Sequence, residues 1–200
     1  MKRVSIPPGL YYIRLSSPKW YLKPSSLSSS SYIDKDTTFP SLKNLFNVFE
    51  NANRQLVFQS VMDKMTFSVY CDKTTSSSYS SSNNPVSMDT LEHPHFAGRN
   101  SRFELYTTTN DQQARADAVN NNTSNVSNST PIRAFLYSIS SGEFVRVSQS
   151  HNLYADVDSD RVTDAMEFVF EPLFVHFGID SIYSYNFCFF SQMLEIYNFS

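Results

Sequence analysis

The stretch YADVDSDRVTDAMEF, from Tyr154 to Phe168, decides how the chain is read. Asp156, Asp158, Asp160, Asp164 and Glu167 fall at positions 1, 3, 5, 9 and 12 of an EF-hand calcium loop. The sixth position, where that loop bends on glycine, is Arg161. The flanks also fail the test. EFVRVSQ before it and MEFVFE after it alternate apolar and polar residues with period two, which is a strand pattern and not a helix pattern. An EF-hand is therefore excluded. A weaker calcium site on Asp156, Asp158 and Asp160 is left open beside the plainer reading, a solvated turn with Arg161 as counter-charge.

Working outward, the stretch repeats. Tyr154-Ala155-Asp156-Val157-Asp158 precedes Phe168 by the same interval at which Tyr32-Ile33-Asp34-Lys35-Asp36 precedes Phe46. The acidic pair is thus a position in a repeat, entering the turn before a closing strand, where Asp caps turns well. Three opening strands read LYYIRL (10–15), LVFQSV (56–61) and IRAFLY (132–137). Three closing strands share Phe: FNVF (46–49), FELY (103–106) and FVF (168–170). The interval from opening to closing strand is the same in the first and third sets and longer in the second. The excess matches the length of the polar insert SSSYSSSNNPV (76–86), and a second polar tract spans 111–130. Middle strands open at Tyr21, Phe67 and Phe144.

One unit of about 46 residues therefore occurs three times, over about 6–50, 51–109 and 131–173. Three units of short strands with prolines at their edges predict an all-β chain, a single β-trefoil over 1–173: a closed six-stranded barrel capped by three hairpins. A β-sandwich is the alternative. Phe, Tyr, Val and Ser are abundant and only four Gly occur, which favours strands over helices.

The third unit carries Gly142-x-Phe144-Val145-x-Val147, Leu153-x-Ala155-Asp156 and Ala165-x-x-Phe168-x-Phe170. From Gly142 to Phe170 it resembles a lobe of the fascin-like β-trefoils, which are actin-associated domains; the first two units share the pattern more faintly. The opening Ile6-Pro7-Pro8-Gly9-Leu10-Tyr11-Tyr12-Ile13 is similar to the start of ricin-type lectin trefoils. The lectin signature Gln-x-Trp is missing, however. Its positions read Asn44-Leu45-Phe46, Ser101-Arg102-Phe103 and Met166-Glu167-Phe168. The second strands also lack the Asp that holds sugar in that family.

These resemblances imply a non-catalytic binding module, protein-binding and with actin filaments as a candidate partner. The alternatives are a carbohydrate-binding trefoil with altered sites, or a protease-inhibitor-like trefoil acting through the loop 76–100. The candidate ligand-binding residues are Trp20, Tyr21, Tyr32, Asp34, Tyr154, Asp156 and Asp158. Trp20 and Tyr21 are the sugar-stacking candidates of the first unit, one of which must face the core.

Other chemistry is sparse. Glu92-His93-Pro94-His95 offers two imidazoles without an identifiable third ligand, and zinc needs three or four. His151 and His176 are isolated, and Cys71 has no placed base. No phosphate-binding loop, nucleophile elbow or paired catalytic acids occur in the sequence, so no enzyme and no cofactor are expected. Sixteen basic against nineteen acidic residues, net −3, leave no footprint for nucleic acid.

Cys71 and Cys188 are too few for a disulfide framework, and no apolar leader or membrane-length segment is seen. A cytoplasmic setting is the expectation. The sequons at Asn121, Asn122, Asn125 and Asn128 then read as products of an Asn/Ser/Thr tract. Residues 174–200 form an aromatic-rich tail with three readings: packing across a barrel end, contact with a partner or membrane surface, or translated AT-rich sequence with no native structure.

Overall fold

A computed structural model describes residues 1–24, 31–34, 40–71, 84–90, 97–108 and 131–173. Asp36, the Glu92–His95 cluster, most of the 76–86 insert, the 111–130 tract with its sequons, and the 174–200 tail with His176 and Cys188 lie outside the described residues.

Six strands close a barrel: β2 (Gly9–Leu15), β5 (Leu45–Glu50), β6 (Leu56–Ser60), β9 (Phe103–Thr107), β10 (Ile132–Ser138) and β13 (Glu167–Pro172). Each pairs antiparallel with the next, and β13 returns to β2. Closure leaves no exposed barrel edge. Three hairpins branch from it: β3 (Tyr21–Pro24) with β4 (Ser31–Asp34), β7 (Met65–Val69) with β8 (Val86–Thr90), and β11 (Glu143–Val147) with β12 (Leu153–Val157). A short strand β1 (Lys2–Val4) runs beside β9. The chain is a β-trefoil, as the repeat predicts. Among the described residues no helix is long and apolar enough to cross a membrane.

Strand alternation explains the barrel. Tyr11, Ile13 and Leu15 of β2, Phe46 and Val48 of β5, Leu56 and Phe58 of β6, and Phe168 and Phe170 of β13 all point into one core. Phe58 is fully buried. Its ring centroid lies 6.0 Å from Phe67, 5.8 Å from Phe103 and 5.9 Å from Phe170, the spacing of favourable aromatic pairs.

The pairing register fixes the repeat more finely than the sequence does. Tyr11 faces Phe46, Leu56 faces Phe103 and Ala134 faces Phe168, so these three openings are equivalent. At one common interval after them stand Tyr21, Thr66 and Phe144, paired with Arg14, Gln59 and Tyr137. Phe67 is therefore the partner of Leu22 and Val145 in the repeat, one place along from the position expected for it. All three are buried in the core. β8 begins at Val86, the last residue of the polar insert.

Candidate functional site

The first aspartate of the acidic pair lies on the second strand of each hairpin, while Asp158 of the third unit stands at the start of the turn after it. Asp34 faces Tyr21 and Asp89 faces Thr66, while Asp156 sits at the bulge between the pairs Phe144–Val157 and Val145–Ala155. Asp89 is the member that sequence reasoning missed. The intervals from Asp34 to Phe46 and from Asp156 to Phe168 are equal, whereas that from Asp89 to Phe103 is longer. The mismatch hides it.

The three hairpins differ in chemistry. In the third, Arg146 donates from Nε and Nη2 to both oxygens of Asp156, at 2.7 and 2.6 Å. The same guanidinium lies 5.4 Å from the centre of the half-buried Tyr154 ring. The Asp156 side chain is 4% exposed, so this carboxylate and this ring are already engaged. Asp158 is exposed and meets Arg161 at 3.5 Å, a surface pair of small energetic value. Among the described residues no three His, Cys, Asp or Glu side chains gather as a metal would need.

Next to this hairpin, Asn84 Nδ2 donates to Glu143 Oε2 at 2.9 Å, and the Ala155 amide donates to the Asn84 carbonyl at 2.8 Å. These bonds stitch the second unit to the third. Burial pushes the Glu143 carboxyl above its ordinary range; the Asn84 bond opposes this, and Asp158 and Asp156 reinforce it.

In the first hairpin, Tyr21 is the ring that faces inward. It is buried beside Tyr12, and its hydroxyl donates to Glu171 Oε2 at 3.1 Å. Burial, with Glu171 next, pushes this phenol up to about 12. Trp20 packs against the barrel core with its ring centroid 5.5 Å from that of His151, so it joins the first unit to the third. Tyr32 and Asp34 lie on β4, at register positions opposite Lys23 and Tyr21.

The second hairpin presents open chemistry. Tyr70 follows β7 and is 55% exposed, one of three exposed large apolar side chains among the described residues. Its hydroxyl donates to Asp89 Oδ2 on β8, a bond that raises the phenol above its ordinary value. Asp89 Oδ1 has no hydrogen-bond partner among the described residues. Nearby, Cys71 Sγ lies 3.6 Å from Ser140 Oγ, with no base placed to activate it among the described residues.

No known protein family matches the chain, and no curated protein matches it. Solved structures match its fold. The designed three-fold symmetric protein ThreeFoil is similar at 10% identity and TM-score 0.54, over 82% of this chain and 99% of that one. The BEL β-trefoil is similar at 10% identity and TM-score 0.52, over 84% and 96%. The Polyporus squamosus lectin, solved with the influenza-binding epitope Neu5Acα2-6Galβ1-4GlcNAc, is similar at 15% identity and TM-score 0.53, over 83% of this chain and 49% of the lectin. At these identities the likeness is one of fold. It sets the chain among the β-trefoils.

Proposed function

We propose that the protein is a non-catalytic binding module whose ligand is a glycan. The observation that supports this is the second hairpin, where an exposed tyrosine ring stands beside a carboxylate with one oxygen open. Sugars are recognised by that combination. The apolar face of a pyranose stacks on a ring, and its hydroxyls donate to a fixed acceptor. The lectin among the similar structures lends the reading its chemical class.

Most of the residues that carry the fascin-like resemblance are core residues, which do not distinguish one partner from another. Phe144, Val145, Leu153, Ala155, Phe168 and Phe170 are buried, and Gly142 serves a turn with φ +78°. They encode barrel packing, which any trefoil needs.

The test is a glycan array probed with the full chain, run beside co-sedimentation with actin filaments at low and physiological salt. Saturable, sugar-competed binding on the array with no pelleting supports the glycan reading. A silent array with saturable pelleting at physiological salt sinks it in favour of the fascin-like, actin-binding one.

A further inference from the structure

We infer that the described residues hold one glycan site, formed by Tyr70 and Asp89 of the second hairpin, and that this site takes neutral saccharides and rejects anionic ones. The inference rests on the glycan reading above and deepens it.

The count follows from comparing equivalent positions. At the acidic position of the third hairpin, both Asp156 oxygens are held by Arg146, whose guanidinium also covers Tyr154. In the first hairpin, the aromatic residue opposite Asp34 is Tyr21, which is buried and bonded to Glu171. In the second hairpin the residue opposite Asp89 is the small Thr66, whose hydroxyl donates to the Asp89 carbonyl at 3.2 Å. The carboxylate there meets no arginine among the described residues. It meets the Tyr70 hydroxyl instead, and that bond fixes ring and carboxylate relative to each other while leaving Oδ1 open. Ring and acceptor are thus held in place before ligand arrives, which lowers the ordering cost of binding.

The selectivity follows from charge. A carboxylate that accepts sugar hydroxyls repels a sialic or uronic acid placed on the same ring, because like charges brought together across an interface suppress the wrong partner. The chain's net charge of −3 acts in the same direction.

The experiment is titration calorimetry of the full chain with Galβ1-4GlcNAc or another neutral array hit, and with the sialylated form of the same sugar. The expected stoichiometry is one per chain, with the neutral sugar favoured by about tenfold or more. Tyr70→Ala removes the platform and weakens binding about tenfold or more, and Tyr70→Phe keeps the ring and holds binding within about threefold. Asp89→Asn weakens the neutral sugar yet narrows the neutral-to-sialylated ratio, an effect that a merely structural role would not produce. Tyr70 is exposed and Asp89 half-buried, and circular dichroism checks that each variant is folded. Two or three sites per chain, equal binding of the sialylated sugar, or indifference to Tyr70→Ala overturns this inference and leaves the glycan reading standing. Absence of any glycan binding overturns both.

Discussion

Replacing Glu171 with Gln tests how the barrel is closed where the third unit meets the first. Glu171 accepts from Arg14 Nε at 2.5 Å and from the Tyr21 hydroxyl at 3.1 Å. The side chains of Arg14 and Glu171 are 11% and 10% exposed, so water screens the pair little. Removing one partner of such a pair leaves the other charge without compensation, at a cost of about 3–5 kcal/mol when fully buried. The residual exposure, and the amide oxygen that still accepts from Tyr21, place Glu171→Gln near the lower end, about 3 kcal/mol. Urea denaturation measures this directly. Thermal unfolding reads it as a fall of roughly 6–12 °C for a domain of this size.

A second readout is the Tyr21 phenol. With its pKa raised from 10.0 to about 12, Tyr21 stabilises the fold fully below pH 10 and ceases to do so as pH rises through about 12. Glu171→Gln removes the second-largest cause of that rise, so the loss of stability between pH 10 and about 12 becomes smaller than in the parent. The triple variant Arg14→Met, Tyr21→Phe, Glu171→Leu removes these three polar side chains together and is expected within about 1 kcal/mol of the parent, or above it. A single-variant cost under about 1 kcal/mol, or a triple variant as damaged as the single one, would refute the claim that this cluster is desolvated and mutually compensated.

Glu143 gives the opposite sign. Its carboxyl is raised by burial, so the fold favours the protonated form, and that stability is lost as pH rises through the folded value. Glu143→Gln is expected to be neutral or stabilising, by less than about 1 kcal/mol at pH 7, with the difference from the parent vanishing below about pH 4.5; melting curves against pH check it. Arg146→Ala strands the nearly buried Asp156 carboxylate and is expected to cost about 3 kcal/mol in urea denaturation, whereas Arg146→Lys, which loses the bidentate geometry, costs less. Phe58→Ala empties the centre of the aromatic cluster and is expected to cost about 3–5 kcal/mol by the same assay. Millimolar calcium is expected to leave the melting temperature unchanged, because Arg146 already occupies both Asp156 oxygens.

The barrel is legible in the sequence because its signal is local. Phe46, Phe103 and Phe168 stand in the first or second place of their strands with period-two alternation, and that alternation survives any change in the loops. The hairpins are less legible. Phe67 reads as equivalent to Tyr21 because both are aromatic, yet the register assigns Thr66 to that place. A one-residue slip reverses every side chain on a strand, and only backbone pairing distinguishes the two readings. The site is the least legible part. Tyr70 and Asp89 are well separated in sequence, with a polar insert between them, and their contact depends on how β7 and β8 pair. No spacing rule joins them. Trp20 and His151 likewise meet from the first and third units, through barrel closure alone.

The junctions between units show that symmetry of fold does not carry symmetry of side chains here. Phe49, Tyr106 and Glu171 are equivalent closing-strand residues, paired with Val57, Phe135 and Tyr12 of the next unit. Around Glu171 the junction is ionic, with Arg14 and Tyr21. Around Tyr106 it is aromatic: Tyr137 and Phe144 lie 5.6 Å from it, with Glu104 accepting its hydroxyl at 2.8 Å. These two junctions are built from different side chains, so the barrel has no need for its units to share side chains outside the core. The hairpins are under the same freedom. The third closes its acidic position with arginine, the first turns its aromatic inward, and the second leaves ring and carboxylate open to solvent. A scaffold held by Phe58 and its neighbours tolerates that divergence, because none of the three hairpin choices disturbs the buried aromatic cluster. Function is then expected where a hairpin leaves a ring exposed beside a carboxylate, as at the pair Tyr70 and Asp89.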